Sequence, residues 1–121
     1  MTRCMIGDYK LDVSDEHKEF EDSVGLISNW RQSGPVYEIP LCSLYSKDIK
    51  NLISAGRCIS TTDEMWNITR VIPSAAVTGQ AAGTAAAMSC DFRNMNVKVL
   101  QKKLQDAGVY LHEKDLKRRE S

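Results

Sequence analysis

From Val71 to Cys90 the chain carries no charged residue, and from Ser74 to Ala87 nearly every side chain is small. No other feature restricts the possible folds as strongly. Alanine is the best helix former, and its density here outweighs two glycines that each cost about 1 kcal/mol relative to alanine. Pro73 suits the first turn of a helix, where its missing N–H is not needed. The segment therefore predicts a helix from Ser74 to about Cys90. Ala75, Gly79, Gly83 and Ala86 recur at spacings of four, four and three, so they share one face. That face has almost no side-chain volume, and the expectation is that a strand, a helix or a flat ligand approaches it closely. The stretch is long enough for a membrane span. Its poverty in Leu, Ile and Phe, and its Pro, Ser, Thr, Gln and Gly, argue against one. Gly79-x-x-x-Gly83 in a soluble chain reads as tight core packing. The helix N-terminus at Pro73 and Ser74 is the positive end of the dipole and favours negative charge.

The segments around this helix suggest an α+β chain of short strands, one long small-residue helix and a C-terminal helix. Cys4 to Lys10 reads as a strand. Asp12 or Ser14 can cap a short helix reaching Phe20, with Asp15 and Glu16 in its first turn. Gly25 to Pro35 reads as a loop and Val36 to Ile39 as a short strand stopped by Pro40. Leu52 to Ala55 is a short apolar run, read as a buried strand ending at Gly56. Ser60 to Thr69 reads as a polar loop. Asn96 caps a final helix with Val97, Leu100, Leu104 and Ala107 on its apolar face, ended by Gly108. Residues 113–121 are dominated by charge and are expected to fray.

Composition narrows the function classes. Sixteen basic residues balance sixteen acidic ones, so no general field favours nucleic acid or an anionic membrane. Met1 to Lys10 lacks the apolar core of a signal peptide, which points to a cytoplasmic chain. Cys4, Cys42, Cys58 and Cys90 lie far apart without C-x-x-C spacing, and only His17 and His112 are available to help them. No metal site is expected, and the cysteines read as reduced thiols.

Several motifs occur together in a fixed order. They are Tyr37-Glu38-Ile39-Pro40, Asn51-Leu52, Gly56-Arg57-Cys58-Ile59-Ser60, Arg70-Val71-Ile72-Pro73 and the run Gly79 to Ala86. The flanking segments Gly7 to Leu11, Phe20 to Gly25 and Leu100 to Val109 extend the pattern across nearly the whole chain. The set resembles the C-terminal end of the FAD-dependent oxidoreductase family, large flavoproteins of the glutathione-reductase-like superfamily. The resemblance implies a piece of an FAD/NAD(P)-binding-type fold. Residues 1–50 would be a remnant of the substrate-side or cap region, and 51–112 the C-terminal part of the FAD-binding domain. The family holds FAD mainly through an N-terminal G-x-G-x-x-G turn, and that motif does not occur in this sequence. An N-terminal dinucleotide-binding portion, or self-association, is the partner this implies.

The resemblance also implies roles for individual residues. Gly56 matches a turn glycine where a side chain would block the cofactor; the alternative is an ordinary glycine at a strand end. Arg57 matches a polar position on the ribityl and phosphate side, the alternative being a surface ion pair, and Ser60 either bonds the cofactor or caps the loop. Arg70 precedes the segment that faces the isoalloxazine; the alternative is an ion pair with Asp63 or Glu64. Pro73, Ser74, Ala75 and Gly79 begin the helix whose N–H groups would meet negative charge on reduced flavin. Gly79, Gln80, Ala82 and Gly83 serve packing more than binding. No catalytic residue is identified. Leu41-Cys42, Ser33-Gly34-Pro35 and Asp63-Glu64-Met65-Trp66 depart from the family pattern, on the substrate side. Two other classes stay open: an oligomeric interaction module without catalysis, and a small nucleotide-binding protein using the helix N-terminus alone.

Overall fold

The computed structural model describes residues 3–120, with the backbone alone for 117–120. Two strands, β1 (Ser23–Ser28) and β2 (Val36–Pro40), form an antiparallel hairpin. Leu26 pairs with Glu38, Ile27 with Tyr37 and Ser28 with Val36, and a register irregularity separates these pairs from Ser23–Pro40. The hairpin occupies part of the stretch expected to be a loop. Val24 and Ile27 are buried on β1, and Tyr37 and Ile39 on β2. Around the hairpin stand four helices: α1 (Asp63–Thr69), α2 (Ile72–Met88), α3 (Val97–Asp106) and α4 (Glu113–Glu120). The result is a small antiparallel sheet packed with helices, an α+β arrangement.

The uncharged segment forms α2, with Val71 as its N-cap residue and Pro73 in the first turn. The buried face differs from the expectation. Ser74, Thr78, Ala81, Ala82 and Ala85 point inward, while Gly79, Gly83 and Ala86 are exposed. A Cβ added at Gly79 or Gly83 would meet nothing within 4 Å. Periodicity identifies residues that share a face. With alanine on every side of the helix, it does not say which face turns inward. The close approach occurs across the other face, at a strand glycine: a Cβ on Gly25 of β1 would overlap Val77 Cγ1 of α2.

Two expected strands are absent. Residues 4–10 form no strand; Met5 N–H donates to Cys58 O (2.8 Å) and Leu11 pairs with Thr61 in a single parallel bridge. Leu52 to Ala55 belongs to no sheet either. Ile53 makes one isolated bridge to Tyr45, and Ser54 N–H donates to Leu44 O (2.8 Å). Leu52 itself is 42% exposed. Three apolar residues and a serine bounded by turns do not settle a strand, because no neighbouring strand supplies the ladder. The expected helix after Asp12 is a single 3₁₀ turn, Val13–Asp15, closed by Asp12 and Asp15 in a capping box. The polar loop contains α1, capped by Thr62, whose Oγ1 accepts from Met65 N–H (3.3 Å).

The C-terminal part closes the core. Asn96 Oδ1 caps α3 through Lys98 N–H and Val99 N–H, and Leu100 and Leu104 are buried. Gln101 donates to Glu21 O and Ser23 O, both at 2.9 Å, which ties α3 to the start of β1. The charged C-terminal stretch, expected to fray, is helical as α4 through Glu120, and Ser121 lies outside the described residues. Among the described residues no helix is long and apolar enough to cross a membrane.

Candidate functional site

The turn that precedes α1 is built against α2. Gly56 has φ +70°, a left-handed conformation that favours glycine. Space is not the constraint, since an added Cβ would find only Ala75 Cβ, at 3.9 Å. Gly56 N–H donates to Thr78 Oγ1 (2.8 Å), and that hydroxyl donates to Ser74 O (3.0 Å). The 3₁₀ turn Gly56–Cys58 is thereby fixed to the first two turns of α2, and Arg57 projects from it into solvent.

Arg57 and Arg70 converge on one side chain. The Arg57 guanidinium lies over the Trp66 ring, 5.4 Å from its centroid, and Arg70 lies over the same ring at 5.7 Å. Arg70 also lies 5.6 Å from the centroid of Trp30, and Arg31 lies over Trp30 at 5.7 Å. Both indoles are anchored: Trp66 Nε1 donates to Arg57 O (3.0 Å) and Trp30 Nε1 to Asn67 O (2.7 Å). Among the described residues no carboxylate pairs with Arg31, Arg57 or Arg70. Neither Asp63 nor Glu64 neutralises Arg70.

Arg70 leads directly into the N-terminus of α2. No side chain caps that terminus, so its positive end is not answered by the protein. Pro73 and Ser74 line a cleft of about 160 Å³ with Leu26, Ile27, Ser28, Trp30, Val71 and Val77. Ser74 is buried, and its hydroxyl donates to Ile68 O (3.4 Å). The cleft is below the roughly 300–1,000 Å³ of a typical ligand pocket, so by itself it does not enclose a ligand. A larger cavity of about 440 Å³ opens beside it, between β1, Val77, Gln80 and the turn Ala107 to Tyr110.

Gly56, Arg57, Arg70, Pro73, Ser74 and Ala75 therefore lie around the junction of the 3₁₀ turn with α2. Gly79 lies farther along α2 on its open face. Ser60 is placed elsewhere. It is 4% exposed, its N–H donates to Ser43 O (2.9 Å) and its carbonyl accepts from Leu11 N–H (3.0 Å). Its side chain lies under Gly7, in the seam that holds the N-terminal segment. Sequence reasoning missed Trp30, Arg31 and Trp66 as members of the cluster. The spacing of Trp66 and Arg70, four residues apart on a helix and its cap, was the available signal.

Away from this junction, burial shifts two titratable groups. Burial, with Asp22 nearby, pushes the Cys42 thiol up to about 12. Burial and a hydrogen bond to Asp8 also raise the Tyr45 phenol.

The family model described as FAD dependent oxidoreductase matches residues 2–107. No curated protein and no solved structure matches the chain.

Proposed function

The chain belongs to the FAD dependent oxidoreductase family, and from that premise we propose that it supplies the isoalloxazine and ribityl side of a flavin site. It would do so as the C-terminal portion of a glutathione-reductase-like flavoprotein, with no oxidoreductase activity on its own. The observation that carries this reading is the fixed junction of the Gly56–Cys58 turn with the uncapped start of α2. The donor set fits that side of the cofactor: backbone N–H groups at the head of α2, and the unpaired guanidiniums of Arg57 and Arg70 beside them. A bound flavin supplies two-electron redox chemistry. The residues present supply binding and electrostatics. The helix N-terminus and Arg70 place positive potential where reduction adds negative charge, without reorganisation at that moment. Trp30 and residues Leu26 to Ser28 of β1 line the cleft beside it.

The remaining half of the cofactor needs a phosphate cradle of the G-x-G-x-x-G kind, which this sequence does not contain. A half-site meets the full association cost with fewer contacts. Incubation of the purified chain with FAD, followed by gel filtration, is therefore expected to return colourless protein. Addition of an N-terminal dinucleotide-binding portion, in trans or in frame, is expected to give a yellow complex. Stoichiometric flavin absorbance retained by the chain alone would overturn the reading.

A further inference from the structure

We propose that the alternating series Arg31, Trp30, Arg70, Trp66 and Arg57 is a binding site for a small ligand carrying at least two oxyanion groups. This goes beyond the flavin reading and does not require a bound flavin. A guanidinium held near an indole ring by cation–π attraction keeps its N–H groups for other partners. Each guanidinium has five such donors and no acceptor capacity. Among the described residues none of these three guanidiniums donates to a protein acceptor or pairs with a carboxylate. Their donors are free of protein acceptors and face solvent. Planar forks of this kind match phosphate and carboxylate oxygens in bidentate fashion.

The indoles are fixed as well. Their own N–H groups are used on Asn67 O and Arg57 O, so the rings hold the arginines against a rigid support. The ring surfaces already carry cations, Trp30 those of Arg31 and Arg70, Trp66 those of Arg57 and Arg70. The series therefore favours charge over stacking with a neutral aromatic ligand. The series carries three positive charges linked through two rings, and matching that charge is why the ligand is assigned two or more oxyanions. Phosphates and carboxylates share that chemistry.

The chain has only two tryptophans, and both are in the series. Intrinsic tryptophan fluorescence is therefore a direct readout of this site. The full chain, without flavin, is titrated with pyrophosphate in one arm and tricarballylate in the other, at constant ionic strength set by sodium chloride. A saturable change in either arm is expected, and the arm that responds more tightly names the phosphate or the carboxylate chemistry. Arg70→Gln is expected to weaken binding about tenfold, from the loss of one charged hydrogen-bonding group. Arg31→Gln, in the exposed hairpin loop, repeats the test should Arg70→Gln alter the far-ultraviolet circular dichroism. Lys102→Gln on α3 is expected to bind as the parent does. A flat response in both arms, a response matched by sodium chloride alone, or unchanged affinity in the folded arginine variants would overturn the proposal. So would a response to FAD with none to either simple anion.

Discussion

Asp12 shows how one side chain joins segments distant in sequence. Its carboxylate accepts the Ser14 hydroxyl (2.7 Å) and the Thr62 hydroxyl (2.7 Å), and Thr62 is the cap of α1. These hydrogen bonds, Ser14 first and Thr62 second, hold the Asp12 carboxyl down at about 2, from an ordinary 3.8. The ionised form is the one stabilised in the folded chain. Its contribution is complete above about pH 4 and is lost as the pH falls toward 2. A carboxyl-carbon NMR titration is expected to place the Asp12 midpoint well below those of unbonded aspartates. Thr62→Val should move it upward by removing one donor. A midpoint at the ordinary value in the parent chain would show that the link to Thr62 does not persist in solution.

At the scale of elements, the outcome separates local signals from packing. The long helix, its first-turn proline, the Asn96 cap of α3 and the strand at Val36 were legible because each rests on residues adjacent in sequence. The α1 helix carried a Thr62 cap and an acidic first turn, but seven residues are too few for a period to register. The Leu52–Ala55 run lacked a neighbouring strand, and nothing in its own residues reveals that. Of the candidate cluster, Gly56, Arg57 and Arg70 were assigned by resemblance, whereas the contacts of Arg57 with Trp66 and of Arg70 with Trp30 depend on tertiary placement. The glycines give the sharpest contrast. A methyl at Gly25 meets the branched, inflexible Val77 across the β1–α2 contact. Gly25→Ala is expected to destabilise the chain by about 1–3 kcal/mol through overpacking. Gly83 stands on the open face of α2, so Gly83→Ala is expected to stabilise it by about 1 kcal/mol through helix propensity. Thermal unfolding of both variants checks the pair. A drop in melting temperature for Gly83→Ala would show that something in this chain packs against that face.

Across the whole molecule, the attachment of α4 decides whether the C-terminal segment belongs to the fold. Among the described residues three pairs reach it: His17 with Glu113 (2.9 Å), Lys114 with Glu19 (2.7 Å), and His112, just before the helix, with Glu38 (2.8 Å). The first two are substantially exposed, and pairs of that kind contribute little. Glu38 is different. It is 4% exposed on β2, and besides His112 it accepts Phe20 N–H (2.9 Å) and Glu113 N–H (3.4 Å). One buried carboxylate therefore joins the segment before β1, the hairpin and the first residue of α4. Removing it leaves a buried backbone donor without an acceptor, at a cost of about 1–3 kcal/mol. Glu38→Ala is accordingly expected to lower the melting temperature by several degrees and to speed amide hydrogen exchange throughout α4. Glu38→Gln retains an acceptor for Phe20 but loses the charge toward His112, so exchange in α4 should rise while the hairpin stays protected. Glu19→Ala, which removes only the exposed pair, should leave exchange in α4 close to that of the parent. Equal effects from Glu19→Ala and Glu38→Ala would place the attachment of α4 in its surface charges instead of in the buried carboxylate.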